Sequence, residues 1–475
     1  MTSVFELGFG QSEQEIELAS LPVQGNIPAW LSGTLLRNGP GTFHVGEQRY
    51  RHWFDGLAML HKFSFENGRV AYANKFLECN AYQAAKENGR ITYSEFATDP
   101  CRSFFQRVSS VFTPKVTDSA KVSIAQIADR FMALAETPIQ VEFDPQTLQS
   151  VGVFQYEPTT TGQMTTVHPH FDYENDSVYN VVTRYHRLSH YRLYQMTGGG
   201  KPERVGQIPV HQPSYMHSFG MSQNYAIITE FPLVVNPLNL LLWLKPYIEN
   251  FQWKPQRGTP ITVMNRFTGE IAARFETDAF FAFHHVNAFE VGDELVFDIV
   301  AYPDAGILNA YYLRTLEDPT MEIPFGTLRR YRLPLNGRSQ TVTWETLSDH
   351  CLELPRFDYE RTNMNPAYRY VYASSIHPQQ RQGFYNQIVK VDTAGGQAQT
   401  WYAENCYPGE PVFVGAPGRT AEDEGVALSV VLDAERGTSF LLVLDAQTFT
   451  EMGRAEIPHA VLFGYHGDFF GSSSL

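Results

Sequence analysis

The sequence predicts an all-β fold, and the size of its repeating unit favours a β-propeller. Short runs rich in Val, Ile, Phe, Tyr and Thr recur from beginning to end, and long helical periodicities are hard to find. A turn signature also recurs, in which an apolar residue precedes Asp or Asn and Thr or Gly follows three residues later. It occurs at Phe143-Asp144 with Thr147, Met264-Asn265 with Thr268, Val391-Asp392 with Gly395, and Leu444-Asp445 with Thr448. Because Asp and Asn close turns through their own side chains, each site should join the outer strands of one sheet.

The length favours radial repetition over a stack of separate domains. The chain has 475 residues and no low-complexity linker, so we expect residues 1–475 to form a single domain. Units of roughly several tens of residues are typical of propeller blades. The WD40 type is disfavoured because six tryptophans do not supply a Trp-Asp pair for each blade. A twisted antiparallel sandwich is the alternative that this pattern leaves open.

Composition and charge exclude several classes of function. The chain has 36 Lys and Arg against 51 Asp and Glu, a formal net charge of −15, which argues against nucleic acid as a partner. The N-terminal residues lack a basic region and a long apolar run, so no signal peptide is expected. Four widely spaced cysteines, without a CxxC pair, are typical of a reduced cytoplasmic protein. GxSxG, P-loop and GxGxxG motifs are absent.

Histidine segments are the strongest chemical signal in the sequence. Four of them lie among aromatic and apolar residues, and they contain His168, His217, His284 and His466. Each histidine alone is more often a hydrogen-bonded core residue than a ligand, but four on different blades could meet on one axis. Imidazole suits iron, copper, nickel or zinc, and four of them leave positions open for dioxygen. His170-Phe171-Asp172 is a competing iron pattern of the facial-triad type.

With these motifs the chain resembles the carotenoid cleavage dioxygenase family along nearly its whole length. The motifs that carry the resemblance are Arg37-Asn38-Gly39-Pro40-Gly41, His52-Trp53-Phe54-Asp55-Gly56, Leu60-His61-Lys62-Phe63, the four histidine segments and Glu424-Gly425-Val426-Ala427-Leu428-Ser429-Val430-Val431. Residues 54–63 and 99–102 are more similar to the animal β-carotene oxygenases and the visual-cycle isomerohydrolase than to the plant enzymes. The resemblance implies a seven-bladed propeller, with loops and short helices forming a dome over an axial metal.

The resemblance also implies a set of site residues. Fe(II) is expected on His168, His217, His284 and His466, with dioxygen as co-substrate. Three glutamates, matched by motif, should hydrogen-bond three of these histidines: Glu136, Glu353 and Glu410. Such carboxylates fix the tautomer and orientation of a ligating imidazole. Expected residues of the substrate tunnel are Phe96, Tyr215 and Val122, the last of which falls where some members carry a residue close to the iron.

Two apolar segments interrupt the strand pattern, at residues 104–112 and 231–244. Neither reaches the roughly 20 apolar residues that span a bilayer. Packing on the core is one interpretation of them. By resemblance, they should form the tunnel mouth and a peripheral membrane contact. The residues expected there are Phe104, Phe105, Leu240, Leu241, Leu242 and Trp243.

The activity implied is oxidative cleavage of a conjugated double bond of a carotenoid or apocarotenoid, which gives two carbonyl products. Cleavage at 9,10 and 9′,10′ is the expectation, and central 15,15′ cleavage is its alternative. Stilbene cleavage, retinyl-ester isomerohydrolysis and non-catalytic lipid binding are further alternatives. No obligate protein partner is inferred. Cys101 matches a segment that is lipid-modified in an animal relative, and the unmodified thiol is expected here.

Overall fold

The computed structural model describes residues 3–12, 14–100, 117–155, 162–241, 245–337 and 340–472. Seven antiparallel sheets of four to six strands follow one another along the chain and form the blades of a β-propeller. The predicted all-β propeller is therefore confirmed, and the sandwich alternative is excluded.

The blades are numbered in chain order, and their strands are given from the axis outwards. Blade 1 contains Gly467–Gly471, Gly33–Thr42, Leu57–Glu66, Arg69–Phe76 and Glu17–Leu18. Blade 2 contains Ser123–Ile127, Arg130–Leu134, Ile139–Phe143 and Ser150–Gln155. Blade 3 contains Met164–Thr165 and His170–Asp172, then Ser177–Arg184, Ser189–Thr197 and Glu203–Val210. Blade 4 contains Gly220–Met221, Tyr225–Thr229, Thr259–Asn265 and Ile271–Thr277.

The remaining blades complete the ring. Blade 5 contains His285–Val291, Glu294–Ala301, Thr327–Pro334 and Thr343–Thr346. Blade 6 contains Glu353–Arg356, Tyr370–Ser375, Gln387–Asp392 and Ala398–Tyr402. Blade 7 contains Cys406–Pro408 and Val412–Gly415, then Gly425–Asp433, Thr438–Asp445, Glu451–Ile457 and Val23–Gly25.

Both ends of the chain close the ring. The late strand Gly467–Gly471 pairs with Gly33–Thr42 and becomes the innermost strand of blade 1. The early strand Val23–Gly25 adds the outermost strand of blade 7 by pairing with Glu451–Ile457. Within blade 1 and within blade 7, backbone hydrogen bonds therefore join a strand from the start of the chain to a strand from its end. These bonds close the ring of the propeller.

Four of the outer hairpins close by the side chain that the sequence signature identified. The carboxylate of Asp144 accepts the backbone N–H of Thr147 at 3.1 Å, and Asp445 accepts that of Thr448 at 2.7 Å. Asn265 and Asp392 accept equivalent bonds in blades 4 and 6. In blades 2, 4 and 6 the turn joins the two outer strands, as predicted from the local sequence, whereas in blade 7 Val23–Gly25 adds one more strand outside the hairpin.

Helices are short and lie between the strands. They span Val4–Phe9, Asn80–Asn88, Pro237–Leu241, Gly306–Ala310, Leu313–Leu316 and Tyr359–Thr362, with single 3₁₀ turns at Ile248–Asn250 and Pro255–Arg257. Two small hairpins pair His44–Val45 with Gln48–Arg49 and Leu233–Val235 with Phe251–Trp253. Within the described residues, no helix has the length and apolar character needed to cross a membrane.

The inner strands are buried on both faces because neighbouring blades pack against each other. All ten residues of Gly33–Thr42 are buried, as are the last seven of Glu294–Ala301. Such strands do not show the in–out alternation of a half-exposed strand, and they include buried polar residues such as Arg37, Asn38 and Asp298. This packing gives the axial ends of the inner strands a rigid frame.

Candidate metal centre

The four predicted histidines come from the starts of innermost strands in four different blades. His284 immediately precedes His285–Val291 of blade 5, and His466 immediately precedes Gly467–Gly471 of blade 1. His168 and His217 lie two and three residues before the innermost strands of blades 3 and 4. Since inner strands of a propeller converge on its axis, the four side chains meet there although 298 residues separate the first from the last.

Their ring nitrogens form a compact cluster. His168 Nε2 lies 3.2 Å from His217 Nε2, and His284 Nε2 lies 3.2 Å from His466 Nε2. One nitrogen from each of the four histidines lies within 4.8 Å of the other three. Nitrogens about 2.0–2.1 Å from a shared ion would be separated by similar distances. The spacing therefore fits a single metal ion.

Carboxylates hold three of the histidines from behind. Glu136 Oε1 accepts the Nδ1–H of His217 at 2.7 Å, and Glu410 Oε1 accepts that of His466 at 2.7 Å. Glu353 accepts the Nδ1–H of His284. A proton on Nδ1 leaves the Nε2 lone pair free and directed at the centre. The structure thus brings together the seven residues that the motifs nominated.

A further layer of donors holds the carboxylates, and the sequence did not reveal it. Tyr215 donates its hydroxyl hydrogen to Glu136, and Tyr302 donates to Glu353. The Glu410 carboxylate accepts the backbone N–H of Gly467 at 2.8 Å. Two arginines lie 3.9 Å from the same carboxylate, namely Arg37 and Arg356. Arg37 belongs to one of the sequence motifs given above. Nothing in the sequence links Tyr302 to Glu353 or Arg356 to Glu410, because more than 50 residues separate the members of each pair.

These contacts set the protonation states of the site. Burial raises the pKa of Glu410, but the positive charge of Arg356 and the interaction with His466, which includes its hydrogen bond, outweigh it, and the pKa lies below its usual value. Burial likewise opposes ionisation of Glu353, yet the charge and hydrogen bond of His284 lower its pKa. Burial lowers the pKa of His466 to about 4, and also that of His168. These directions favour the carboxylate form of Glu353 and Glu410 and the neutral imidazole form of His168 and His466, the forms that bind metal.

Two cavities reach the histidines from different sides. The apolar cavity has a volume of about 240 Å³ and is lined by His217 and by Phe54, Phe96, Val122 and Leu240, among others. The axial cavity, of about 120 Å³, runs between the innermost strands and is lined by the other three histidines: His168, His284 and His466. The apolar cavity is the candidate substrate tunnel.

The tunnel predictions fall in three groups. Phe96 and Val122 line the apolar cavity, as does Leu240, which also packs on the core. Tyr215 is buried behind the wall, where its hydroxyl binds Glu136, and it is not among the residues lining the cavity. The remaining calls concern residues outside the described ones or, for Leu241, a side chain outside them. These are Phe104, Phe105, Leu241, Leu242 and Trp243, and Cys101 also lies outside.

The competing iron pattern does not form a site. The two ring nitrogens of His170 bind the Tyr359 hydroxyl and the Phe219 carbonyl. Asp172 forms an ion pair with Arg266 at 2.8 Å. Both side chains of the proposed facial triad are therefore engaged by protein groups, and that interpretation is wrong.

The donor set fits a divalent transition metal. Four neutral imidazoles with no thiolate suit iron, copper, nickel or zinc, and a six-coordinate ion would keep positions open beside them. The carboxylate partners of His217, His284 and His466 add the outer hydrogen bonds that metal-ligating histidines nearly always have. Among the described residues, His168, His217, His284 and His466 form the group whose ring nitrogens lie close enough together to hold a metal ion.

Comparison with known proteins gives consistent matches over almost the whole chain. A family model described as retinal pigment epithelial membrane protein matches residues 9–471. The β,β-carotene 15,15′-dioxygenase of Mus musculus is 34% identical, with 98% of this chain and 91% of the relative covered. The carotenoid isomerooxygenase of Galleria mellonella is 35% identical, with 91% and 89% covered. Cobalt-substituted Synechocystis apocarotenoid oxygenase superposes with a TM-score of 0.89 at 27% identity, with 98% of each chain covered.

Proposed function

Because the chain belongs to the retinal pigment epithelial membrane protein family, the family of the carotenoid oxygenases, we propose that it is an Fe(II)-dependent dioxygenase cleaving the central 15,15′ double bond of a carotenoid. One carbon–carbon double bond and one dioxygen molecule are consumed, and each new carbonyl receives one oxygen atom. The observation that carries the proposal is the four-histidine cluster at the inner end of an apolar cavity.

Four histidines would hold the iron, namely His168, His217, His284 and His466. Bound Fe(II) would supply the redox chemistry that activates dioxygen. The protein's own contribution is geometric: Glu136, Glu353 and Glu410 hold the imidazole proton on Nδ1, which leaves Nε2 free to bind the metal, and they fix the orientation of each ring. No protein group needs to donate or accept a proton for the overall reaction to balance.

The tunnel would position the polyene and exclude water. The Phe54 ring lies nearly parallel to the His217 ring, with 14° between the planes and 6.3 Å between the centroids. Phe283 meets His217 edge-on, with the centroids 5.7 Å apart. Flat apolar rings beside the ligands suit a flat conjugated chain, and an apolar wall favours its transfer from lipid.

Central cleavage is favoured over the 9,10 position by the relatives. The β,β-carotene 15,15′-dioxygenases of Mus musculus and Homo sapiens are each 34% identical to the chain. The expectation of 9,10 cleavage from the sequence has less support than this alternative. The point at which a polyene stops in the tunnel selects the bond, and many side chains set that point.

A peripheral membrane contact at the tunnel mouth would deliver the substrate. In the helix Pro237–Leu241, Leu238 is 55% exposed whereas Leu240 lines the apolar cavity. One short helix therefore presents one leucine outward and another to the tunnel. An exposed leucine next to an apolar opening is typical of a surface that inserts shallowly into lipid.

The test is incubation of anaerobically purified, Fe(II)-loaded protein with β-carotene in detergent, followed by aerobic assay. Retinal as the sole aldehyde, with one dioxygen consumed per β-carotene, is the expected result. Ionone with a long apocarotenal would overturn central cleavage and restore the 9,10 assignment. Retinyl ester and resveratrol, tested in parallel, separate isomerohydrolysis without oxygen uptake and stilbene cleavage from the proposed reaction. The variant His466→Ala controls for chemistry by free iron.

A further inference from the structure

A buried ion pair lies in the wall of the otherwise apolar cavity. Lys121 Nζ lies 2.7 Å from Glu95 Oε2, and the two side chains are only 4% and 1% exposed. Both residues line the cavity, together with Ser94, Thr117 and Ser119. A hydrocarbon chain needs none of these groups, so the metal site and the apolar lining leave the polar patch unexplained.

Stability does not account for the pair. Withdrawing two charges from water costs about as much as their attraction returns, so a buried ion pair is weak evidence of stabilisation. The cost shows in the carboxyl group, since burial raises the pKa of Glu95 to about 7 although Lys121 opposes the shift. A costly polar group in a binding cavity is instead typical of recognition.

The ammonium retains donor capacity. Of its three N–H bonds, one points to Glu95 and a second makes a long contact of 3.4 Å with the carbonyl of Ser119. Glu95 is in turn held by Thr117, whose hydroxyl donates to it at 2.6 Å. Among the described residues, Glu95 and Ser119 are the acceptors of Lys121 Nζ, so its third hydrogen is available to a ligand.

We propose that Lys121, held by Glu95, binds an oxygen atom of the substrate, so that the tunnel accepts a polyene carrying a carbonyl or hydroxyl group. This inference rests on the proposed function and adds to it a preference for oxygenated carotenoids over hydrocarbon ones. A hydrocarbon polyene offers no acceptor to the remaining N–H of the ammonium, whereas an oxygen atom of the substrate does. Lys121 also precedes Val122, a neighbour of the histidines in the cavity wall, so the oxygen would be held on the wall of the same tunnel.

The test measures binding to iron-free protein, so that no substrate is consumed. Quenching of tryptophan fluorescence would give dissociation constants for β-carotene, an apocarotenal and a ring-hydroxylated carotenoid. The variants are Lys121→Met and the double variant Glu95→Gln with Lys121→Met, which avoids leaving a buried carboxylate unpaired. The matched control is Asp423→Asn with Lys390→Met, because that pair is equally close at 2.7 Å and similarly buried but lies outside the cavity lining.

We expect both Lys121 variants to bind the oxygenated ligands about tenfold more weakly, the effect of one hydrogen bond from a charged donor. Affinity for β-carotene should stay within about twofold. Weaker binding of the apocarotenal alone, or of the hydroxylated carotenoid alone, also supports the proposal. It identifies whether Lys121 recognises the carbonyl or the hydroxyl oxygen. Equal loss for all three ligands, or no loss in the double variant, overturns it while central cleavage stands. Failure of all three ligands to bind the wild-type protein overturns the proposed function itself.

Discussion

Tyr302 and His284 bind the two oxygens of a single buried carboxylate, that of Glu353. The hydroxyl of Tyr302 therefore restricts the carboxylate, and the carboxylate restricts the imidazole. The phenol acts on the metal site only through Glu353, which makes Tyr302 a positioning residue. Tyr215 likewise acts through Glu136 on His217, although in that case the hydroxyl and the imidazole bind the same carboxylate oxygen, Oε1.

Replacing Tyr302 by Phe should weaken iron binding modestly, by about threefold, because the lost hydrogen bond acts on the metal ligand only indirectly, through the orientation of the Glu353 carboxylate. Competition with a chelator at equilibrium would measure the affinity. The control is Tyr368→Phe, which breaks a similar bond to a buried carboxylate, Asp298, that contacts none of the four histidines. An equal change in both variants would contradict the positioning role.

Glu353→Gln should lower iron affinity by 10–100-fold, because the amide is a weaker acceptor for His284 Nδ1–H and makes the imidazole a poorer donor to the metal. The same chelator competition measures the affinity for iron, and circular dichroism shows whether the propeller remains folded. Glu290→Gln removes another carboxylate near the innermost strand of blade 5, one bound to Ser222 and Asn224 instead of a histidine. Unchanged iron affinity in Glu353→Gln would contradict the expectation.

His284→Ala should abolish stoichiometric iron, whereas His285→Ala should retain it. The two side chains are neighbours in sequence, but His285 binds the hydroxyls of Ser218 and Thr229 instead of the central cluster. Metal analysis of purified protein by mass spectrometry distinguishes the two variants. Equal iron content in both would mean that the central cluster does not bind the metal.

Stability should fall as the pH drops from about 6.5 towards 3. Burial lowers the pKa of His61 to about 3, and that of His52 likewise. Below about pH 6.5 each of these histidines is protonated in the unfolded chain but not in the folded protein. Each therefore lowers the free energy of unfolding by roughly 1.4 kcal/mol per pH unit in that window. Urea titrations between pH 7.5 and 4.5 measure the slope. His61→Gln should flatten it, whereas His186→Gln, at an exposed position, is the control.

Leu238→Ser should reduce flotation of the protein with phospholipid vesicles by several-fold, since it removes an exposed apolar side chain from the tunnel mouth. Val291→Ser is the control, because that exposed residue lies at the far end of the inner strand of blade 5, away from the histidines. Equal flotation of Leu238→Ser and the wild-type protein would contradict the membrane contact.

Local features of this fold were predictable, and long-range ones were predictable only through the family. The Asp144 and Asp445 turns depend on four consecutive residues, so the sequence displays them directly. Glu353 looks like an ordinary strand residue, because its partner His284 lies 69 positions away. The roles of Tyr302 and Lys121 were predicted neither from the local sequence pattern nor from the family motifs. Neither source shows which distant carboxylate a side chain will contact. Tyr215 was expected in the tunnel wall, yet the direction of its hydroxyl depends on where Glu136 lies.

The closure of blade 1 also determines when the complete set of four histidines becomes available during synthesis. His466 stands directly before the strand that completes the ring, whereas the other three histidines precede it by 182 residues or more. A nascent chain on the ribosome can therefore offer three imidazoles long before the fourth emerges. Full metal affinity would arise only once Gly467–Gly471 has docked against Gly33–Thr42. Capture of a metal ion would then report that Gly467–Gly471 has been synthesised and that the ring has closed.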